Sequence, residues 1–170
     1  MSWATIALFG TTIFSGALLL FQVQPLISKL ILPWFGGSPA VWTVAMLFFQ
    51  LALLAGYAYA HFSIRYLARR GQMLLHLGLL LAALLSLPIT PSASLRPTGS
   101  LAPTMEVLCI LVFTVGLPYF ALSTTSPLLQ AWMARSGTGF SPYRFYALSN
   151  LGSLLGLLAY PFLVEPLLAH

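Results

Sequence analysis

Acidic residues are nearly missing from this sequence, which has two Asp or Glu among 170 residues, and charged residues of every kind make up only 5%. General acid–base catalysis needs a positioned pair of titratable groups. No Ser-His-Asp set, metal-ligand cluster or phosphate-binding glycine loop compensates for this shortage. We therefore expect no catalytic residues, no cofactor, no metal and no enzymatic activity. The seven cations form no dense basic stripe, so nucleic acid is not an expected partner.

Cysteine is almost absent as well. The single residue, Cys109, excludes an intrachain disulfide and any CxxC or CxxCH motif. We interpret it as a small packing residue. His61 and His76 are the only candidates for a haem or metal pair, and nothing else in the sequence supports that role.

Apolar residues, in contrast, make up 59% of the chain and lie in five long stretches. A helix needs about 20 apolar residues to cross a bilayer. The sequence therefore predicts an all-α integral membrane protein, a single domain over residues 1–170 with about five transmembrane helices. The predicted spans cover residues 3–32, 40–61, 73–87, 104–122 and 143–168.

The basic residues predict the orientation of these spans. Five of the seven cations lie in two loops, Arg65, Arg69 and Arg70 in one and Arg135 and Arg144 in the other, whereas the remaining loops hold only Lys29 and Arg96. Cytoplasmic loops carry an excess of Lys and Arg. We expect these two loops and the N-terminus inside, in a membrane of the bacterial inner type. The first run lacks the basic region and cleavage site of a signal peptide, so we interpret it as a retained span.

Residues 123–137 are too polar to predict a sixth span. Ser126 and Pro127 are typical of an N-cap and a first helical position. Leu128, Leu129 and Trp132 then recur on one face, which predicts a short amphipathic helix on the cytoplasmic surface. The alternative is an extension that packs under the neighbouring spans.

Pro25 predicts a kink or break in the first span, because proline removes a backbone donor and clashes with the preceding turn. Gln22, Gln24 and Lys29 surround it and are candidate substrate-binding residues, since a broken helix exposes backbone groups. The alternative is that Lys29 extends to the outer interface and the glutamines bond neighbouring helices.

Two further polar residues are substrate-binding candidates. Asn150 lies deep in the fifth span, where an amide needs a partner, and it can equally serve as a contact between helices. Glu165 lies near the outer end of the same span, as Glu106 does in the fourth. Glu165 fits a cap or an interfacial salt bridge, with a proton-coupled role as the alternative.

Small residues four apart let membrane helices approach closely. Such rows predict packing faces on three spans, and together they predict a tight bundle. Their members are Ala52, Gly56 and Ala60 on the second span, Gly78, Ala82 and Ser86 on the third, and Gly152 and Gly156 on the fifth.

Three segments resemble the membrane portion of the spermidine-synthase-like membrane proteins, described as major-facilitator/spermidine-synthase fusions. They read FQVQPLISKLILPWFGGSPAVWTVAMLFFQLALLAGYAYA from Phe21, GLPYFALSTTSPLLQAWMARSG from Gly116 and YRFYALSNLGSLLGLLAYPFLVEPLL from Tyr143. The resemblance implies a major-facilitator-like helical half. The aminopropyltransferase-like domain of that family has no counterpart here, and the loop between the second and third spans has the basic residues of a transporter gate without its Asp.

Two functions follow as hypotheses. The first is a transporter half, or the membrane anchor of a spermidine-synthase-like protein, that handles a polyamine or another small metabolite. The second is a non-catalytic accessory subunit of a larger membrane complex. Both imply membrane lipid and other membrane subunits, in a homo- or hetero-oligomer, as partners.

Overall fold

The computed structural model describes residues 2–92, 95–99, 101–136 and 142–167, and the described residues form helices and no strand. Seven α-helices follow one another, and their bounds are α1 Trp3–Ile31, α2 Pro39–Tyr66, α3 Arg69–Leu85, α4 Pro103–Leu111, α5 Leu117–Ala134, α6 Pro142–Ala159 and α7 Glu165–Leu167. A π-helical segment, Val112–Gly116, joins α4 to α5, and another, Tyr160–Val164, joins α6 to α7.

Four helical runs are long and apolar enough to cross a membrane. They are Trp3–Phe35, Pro39–Tyr66, Pro103–Ala134 and Tyr143–Leu167. The predicted third span corresponds to α3, which has 17 residues. The chain thus has the helical, membrane-type architecture that its apolar stretches predict, with four candidate spans in the described residues.

The first span is not broken at Pro25. Helix α1 continues through this proline to Ile31, so the predicted break is wrong, and the kink stays a prediction. The chain turns later, in a 3₁₀ segment, Leu32–Phe35, followed by Gly36 and Gly37 at φ values of 66° and 73°. These left-handed conformations favour glycine. Helix α1 therefore ends at this turn and not at Pro25.

Helix α2 begins with a local signal in the sequence. Ser38 is its N-cap, and the Ser38 hydroxyl accepts a hydrogen bond from the backbone N–H of Ala40 at 3.3 Å. Pro39 occupies the first helical position, where its missing N–H costs nothing. The Gly-Gly-Ser-Pro sequence therefore specifies both the turn and the start of α2.

Within the described residues, positions 123–134 do not form a separate amphipathic helix but belong to α5. Position 137 of the predicted segment lies outside the described residues. Ser126 and Pro127 lie inside α5, which continues to Ala134, so the predicted N-cap is wrong. The alternative, an extension of the fourth span, describes the structure. Half of the most apolar window of Pro103–Ala134 is buried, against 17–28% for the other three runs, so α5 is the central helix. Its polar residues are tolerated because protein, and not lipid, surrounds them.

Helices α1 and α6 run parallel and in close contact. A Cβ placed on Gly152 would lie 2.5 Å from the carbonyl oxygen of Phe14, and one on Gly156 would lie 2.6 Å from that of Leu18. Real Cβ atoms do not approach backbone oxygen this closely. The two glycines therefore permit the close approach of the two backbones.

Helices α2 and α5 also run parallel. The Ser123 hydroxyl lies 3.5 Å from the carbonyl oxygen of Ala52, and the guanidinium of Arg135 lies 3.4 Å from that of Ile64. A Cβ on Gly56 would collide with the Ser123 side chain, so this glycine lies directly against α5. Ala60, one turn further along the same row, is buried.

The third small-residue row has a different environment. Gly78 and Ala82 are exposed, and the space beside Gly78 is open to 4 Å. The buried face of α3 is formed instead by Gln72, His76 and Ala83. The predicted packing face on α3 therefore meets no helix in the described part of this chain.

The core is apolar at one end of the bundle. Side chains of α1, α2 and α4 meet there, among them Ile27, Phe49 and Leu111, each fully buried. The other end is the one where α2 ends, α3 begins, α5 ends and α6 begins, and we call it the arginine end because Arg65, Arg69, Arg70, Arg135 and Arg144 belong to it. Polar side chains concentrate between the apolar core and the arginine end.

Candidate functional site

A cavity of about 390 Å³ lies between α1, α5 and α6. We call it the serine cavity. Its polar lining residues are Tyr57, Ser123, Ser126, Gln130, Tyr146, Ser149, Asn150 and Ser153. Its apolar floor includes Gly16, Ala17, Leu20 and Phe21 of α1. None of the described residues that line it carries a charge.

Hydrogen bonds connect several of these side chains. The Gln130 amide donates to the Ser126 hydroxyl at 2.9 Å, and the Ser126 and Ser149 hydroxyls lie 3.4 Å apart. The Ser153 hydroxyl donates to the Ser149 carbonyl at 3.0 Å. The contact between Ser126 and Ser149 joins α5 to α6 beside the serine cavity.

The sequence places these residues on shared faces once the helices are known. Ser123, Ser126 and Gln130 have i, i+3 and i+7 spacing on α5, and Ser149 and Ser153 are one turn apart on α6. Residues with these spacings lie on one side of a helix. Pro127 removes the helical bond to the carbonyl of Ser123, which leaves one more acceptor in this wall.

The serine cavity extends from the middle of the bundle to the arginine end. Gly16 and Ala17 lie at the midpoint of α1, and Ala134 is the last residue of α5. The arrangement can therefore accept a small molecule through hydrogen bonds. Its hydroxyls and amides can bind but supply no general acid or base near neutral pH.

Of the substrate-binding candidates from the sequence, Asn150 lines the serine cavity, where it is exposed. Gln22 and Gln24 are half-buried on α1 and are not among the lining residues of this cavity. Lys29 and Glu165 lie at the opposite end from the arginines, where the Lys29 ammonium donates to the Glu165 carboxylate at 2.7 Å. This is the interfacial salt bridge that the sequence allowed for Glu165, and both side chains are 44% exposed.

Sequence reasoning missed the serines and Gln130 as site residues. It predicted either a surface helix or an extension under the neighbouring spans for residues 123–137, and neither alternative used their helical spacing against α6. The signal was present, because Ser123, Ser126 and Gln130 recur on one face. Reading it required knowing that the fourth helix continues past Leu122.

The two histidines lie in different environments. His61 is exposed and its ring meets the edge of Phe62. His76 is buried between α3 and α5, where its Nε2 lies 3.3 Å from the Thr125 hydroxyl. That hydroxyl donates to the Ala121 carbonyl at 2.7 Å, so Nε2 is the donor to Thr125. Within the described residues no group of three His, Cys, Asp or Glu side chains is placed to hold a metal.

Comparison of the chain with protein-family models, with curated proteins and with solved structures found no match.

Proposed function

We propose that this chain is a non-enzymatic, transporter-like half whose serine cavity binds a small uncharged molecule through hydrogen bonds. The observation that carries the proposal is the concentration of hydroxyl and amide groups around one cavity between apolar helices. Polar groups at membrane depth are costly unless they bond to each other, to water or to a ligand. Their place around a cavity favours a ligand.

The charge of the serine cavity favours an uncharged ligand over a polyamine. A polycation inside a membrane protein needs acidic partners. The two carboxylates of the sequence are engaged elsewhere, Glu165 with Lys29 and Glu106 with the backbone N–H of Gly99 at 3.0 Å. A polyamine would therefore require acids from a partner subunit.

The directions of the helices support five crossings. Parallel α2 and α5 require the chain to return between them. Helix α3 runs antiparallel to α5, because Gln72 contacts Trp132 while His76 contacts Thr125. Its 17 residues span about 25 Å. We therefore propose α3 as the return crossing, with the arginine end in the cytoplasm.

In the proposed transporter-like half, one side of the serine cavity is not covered by the described part of this chain and can face a second unit. Tyr146 and Asn150 line the cavity yet are exposed, and α6 belongs to the least buried of the four long runs. A major-facilitator-like path has two halves facing each other, as the resemblance implies. A second copy or a homologous half on this side would complete the path.

Ligand-dependent stability of the full chain in mild detergent tests the proposal. The probes are erythritol, an uncharged polyol, and spermidine. We expect erythritol to raise the melting temperature by a few degrees at saturating concentration, and spermidine to have no such effect. The variant S149A/N150A should lose the shift. The control T11V/T12V should keep it, because these hydroxyls are exposed and bond to their own helix.

Labelling provides a second test that does not depend on the choice of probe. Ser149→Cys in a Cys109→Ser background should react with a water-soluble maleimide added at the arginine end. Absence of labelling in folded protein would contradict a water-accessible cavity. A spermidine shift that S149A/N150A abolishes would overturn the uncharged-ligand assignment.

The accessory-subunit hypothesis has one observation of its own. The outer face of α3 combines exposed Gly78 and Ala82 with exposed leucines at positions 74, 77 and 81. Such a face suits contact with a helix of another membrane subunit. Copurification of larger subunits with the wild-type chain in mild detergent, lost on Gly78→Leu, would favour this function.

A further inference from the structure

A second cavity, about 240 Å³, lies at the arginine end where α2 gives way to α3. We call it the arginine cavity. Its lining residues are Leu67, Ala68, Arg69, Gln72, Trp132 and Arg135. None of them lines the serine cavity, so the two sites are separate.

The walls of the arginine cavity are held by a buried glutamine. The Gln72 amide donates to the Leu67 carbonyl at 2.8 Å and accepts from the Trp132 indole N–H at 2.7 Å. Gln72 is only 2% exposed. The indole and the first turn of α3 are therefore held together by Gln72.

The two guanidinium groups of the arginine cavity retain N–H donors that can bind a ligand. Arg135 contacts the Ile64 carbonyl through two nitrogens at 3.4 Å each, which are long hydrogen bonds. A guanidinium has five N–H donors. Arg69 is exposed at the start of α3. The N-cap residue of α3 is Ala68, whose methyl side chain cannot accept a hydrogen bond from the first-turn N–H groups. These N–H groups add partial positive charge beside the two arginines.

No acidic side chain of this chain neutralises these arginines. The sequence has two carboxylates, Glu106 and Glu165, and both are bonded to other groups far from the arginine end. An anion for the arginine cavity must therefore come from outside the chain.

We propose that the arginine cavity binds a phosphate-type anion, held by Arg69 and Arg135, as presented by the phosphodiester headgroup of an anionic lipid. Arginine matches phosphate oxygens in a planar, bidentate manner. Leu67, which is 40% exposed, and Trp132 give the cavity an apolar side where an acyl chain can lie. Inorganic phosphate has the same chemistry without the acyl chain. The proposal is independent of the function of the serine cavity.

Native mass spectrometry of the full chain in neutral detergent tests the site, with phosphatidylglycerol and phosphatidylcholine as lipid probes. We expect tighter binding of phosphatidylglycerol. The variant R69Q/R135Q should bind it roughly 30-fold more weakly, at about fivefold per cation. The control R65Q/R70Q removes the same charge from the same end but from residues outside the cavity lining, and it should weaken binding much less than R69Q/R135Q does. The single variant R69Q, which leaves the Arg135 contact intact, should lose about fivefold.

Competition with inorganic phosphate distinguishes the two sources of the anion. Displacement of phosphatidylglycerol by millimolar phosphate would assign the site to the anion alone. Retention of the lipid would assign it to the headgroup together with its chains. Equal binding of both lipids without phosphate binding would overturn the proposal. Equal losses in R69Q/R135Q and R65Q/R70Q would also overturn it, because diffuse charge would then explain the binding.

Discussion

Gly156 lies against the backbone of α1, and a Cβ at this position would be 2.6 Å from the carbonyl oxygen of Leu18. Backbone atoms cannot yield as a side chain does, so any larger residue must push α1 and α6 apart. We expect Gly156→Leu to destabilise the folded chain by at least about 1–3 kcal/mol. Thermal or denaturant unfolding in detergent measures the change.

Gly78→Leu is the matched control for this prediction. It introduces the same side chain in a helix, but the space beside Gly78 is open. We expect little change in the stability of the isolated chain. Equal destabilisation by both substitutions would contradict the contact between α1 and α6 as the cause, because leucine has a higher helix propensity than glycine and does not by itself destabilise a helix.

Gln72 is expected to be the most sensitive polar residue of α3. Gln72→Leu removes two hydrogen bonds and leaves the Leu67 carbonyl and the Trp132 indole without this partner. Each buried group left unpaired costs about 1–3 kcal/mol. Gln50→Leu on α2 is the control, because Gln50 is exposed. Similar unfolding midpoints for the two variants would contradict the structural role of Gln72.

The ion pair between Lys29 and Glu165 joins α1 to α7 at 2.7 Å. Because both side chains are 44% exposed, solvent screens the pair and we expect only a small coupling energy. A double-mutant cycle with Lys29→Met and Glu165→Gln measures it. The charge-swapped chain K29E/E165K should recover the coupling. A swap that is less stable than both single variants would indicate that each charge has a separate partner.

The orientation in the membrane remains a prediction from the arginines, and it can be tested by labelling. In a Cys109→Ser background, Ala68→Cys marks the turn before α3 and Ala40→Cys marks the start of α2; both positions are exposed. We expect a membrane-impermeant maleimide to label position 68 from the cytoplasm and position 40 from outside. The reverse pattern would invert the topology.

The helices that the sequence predicted best are those with a uniform apolar surface. For residues 3–32 and 40–61 the apolar run and the local signals, such as the Ser38 N-cap and Pro39, agree with each other. At Pro25 they conflict, and the helix continues. One missing hydrogen bond was outweighed by the rest of a 29-residue helix.

The candidate site was predicted only in part, and α5 explains why. An averaged hydropathy treats Ser123, Thr124, Thr125 and Ser126 as a reason to end a span. In the bundle these residues bond to the preceding turn or to other helices, as when Thr124 donates to the Ala121 carbonyl at 2.8 Å. Polarity therefore marked the centre of the bundle and not its surface.

The sequence by itself determined the apolar helices, the small-residue faces and the uneven distribution of charge, because each depends on residue type and on spacing within one helix. Tertiary structure decided which helices meet. It placed Gly152 against Phe14 while leaving Gly78 exposed, paired Lys29 with Glu165 across 136 positions, and brought α5 and α6 together around the serine cavity. Those outcomes depend on contacts between distant segments, which periodicity within a helix does not encode.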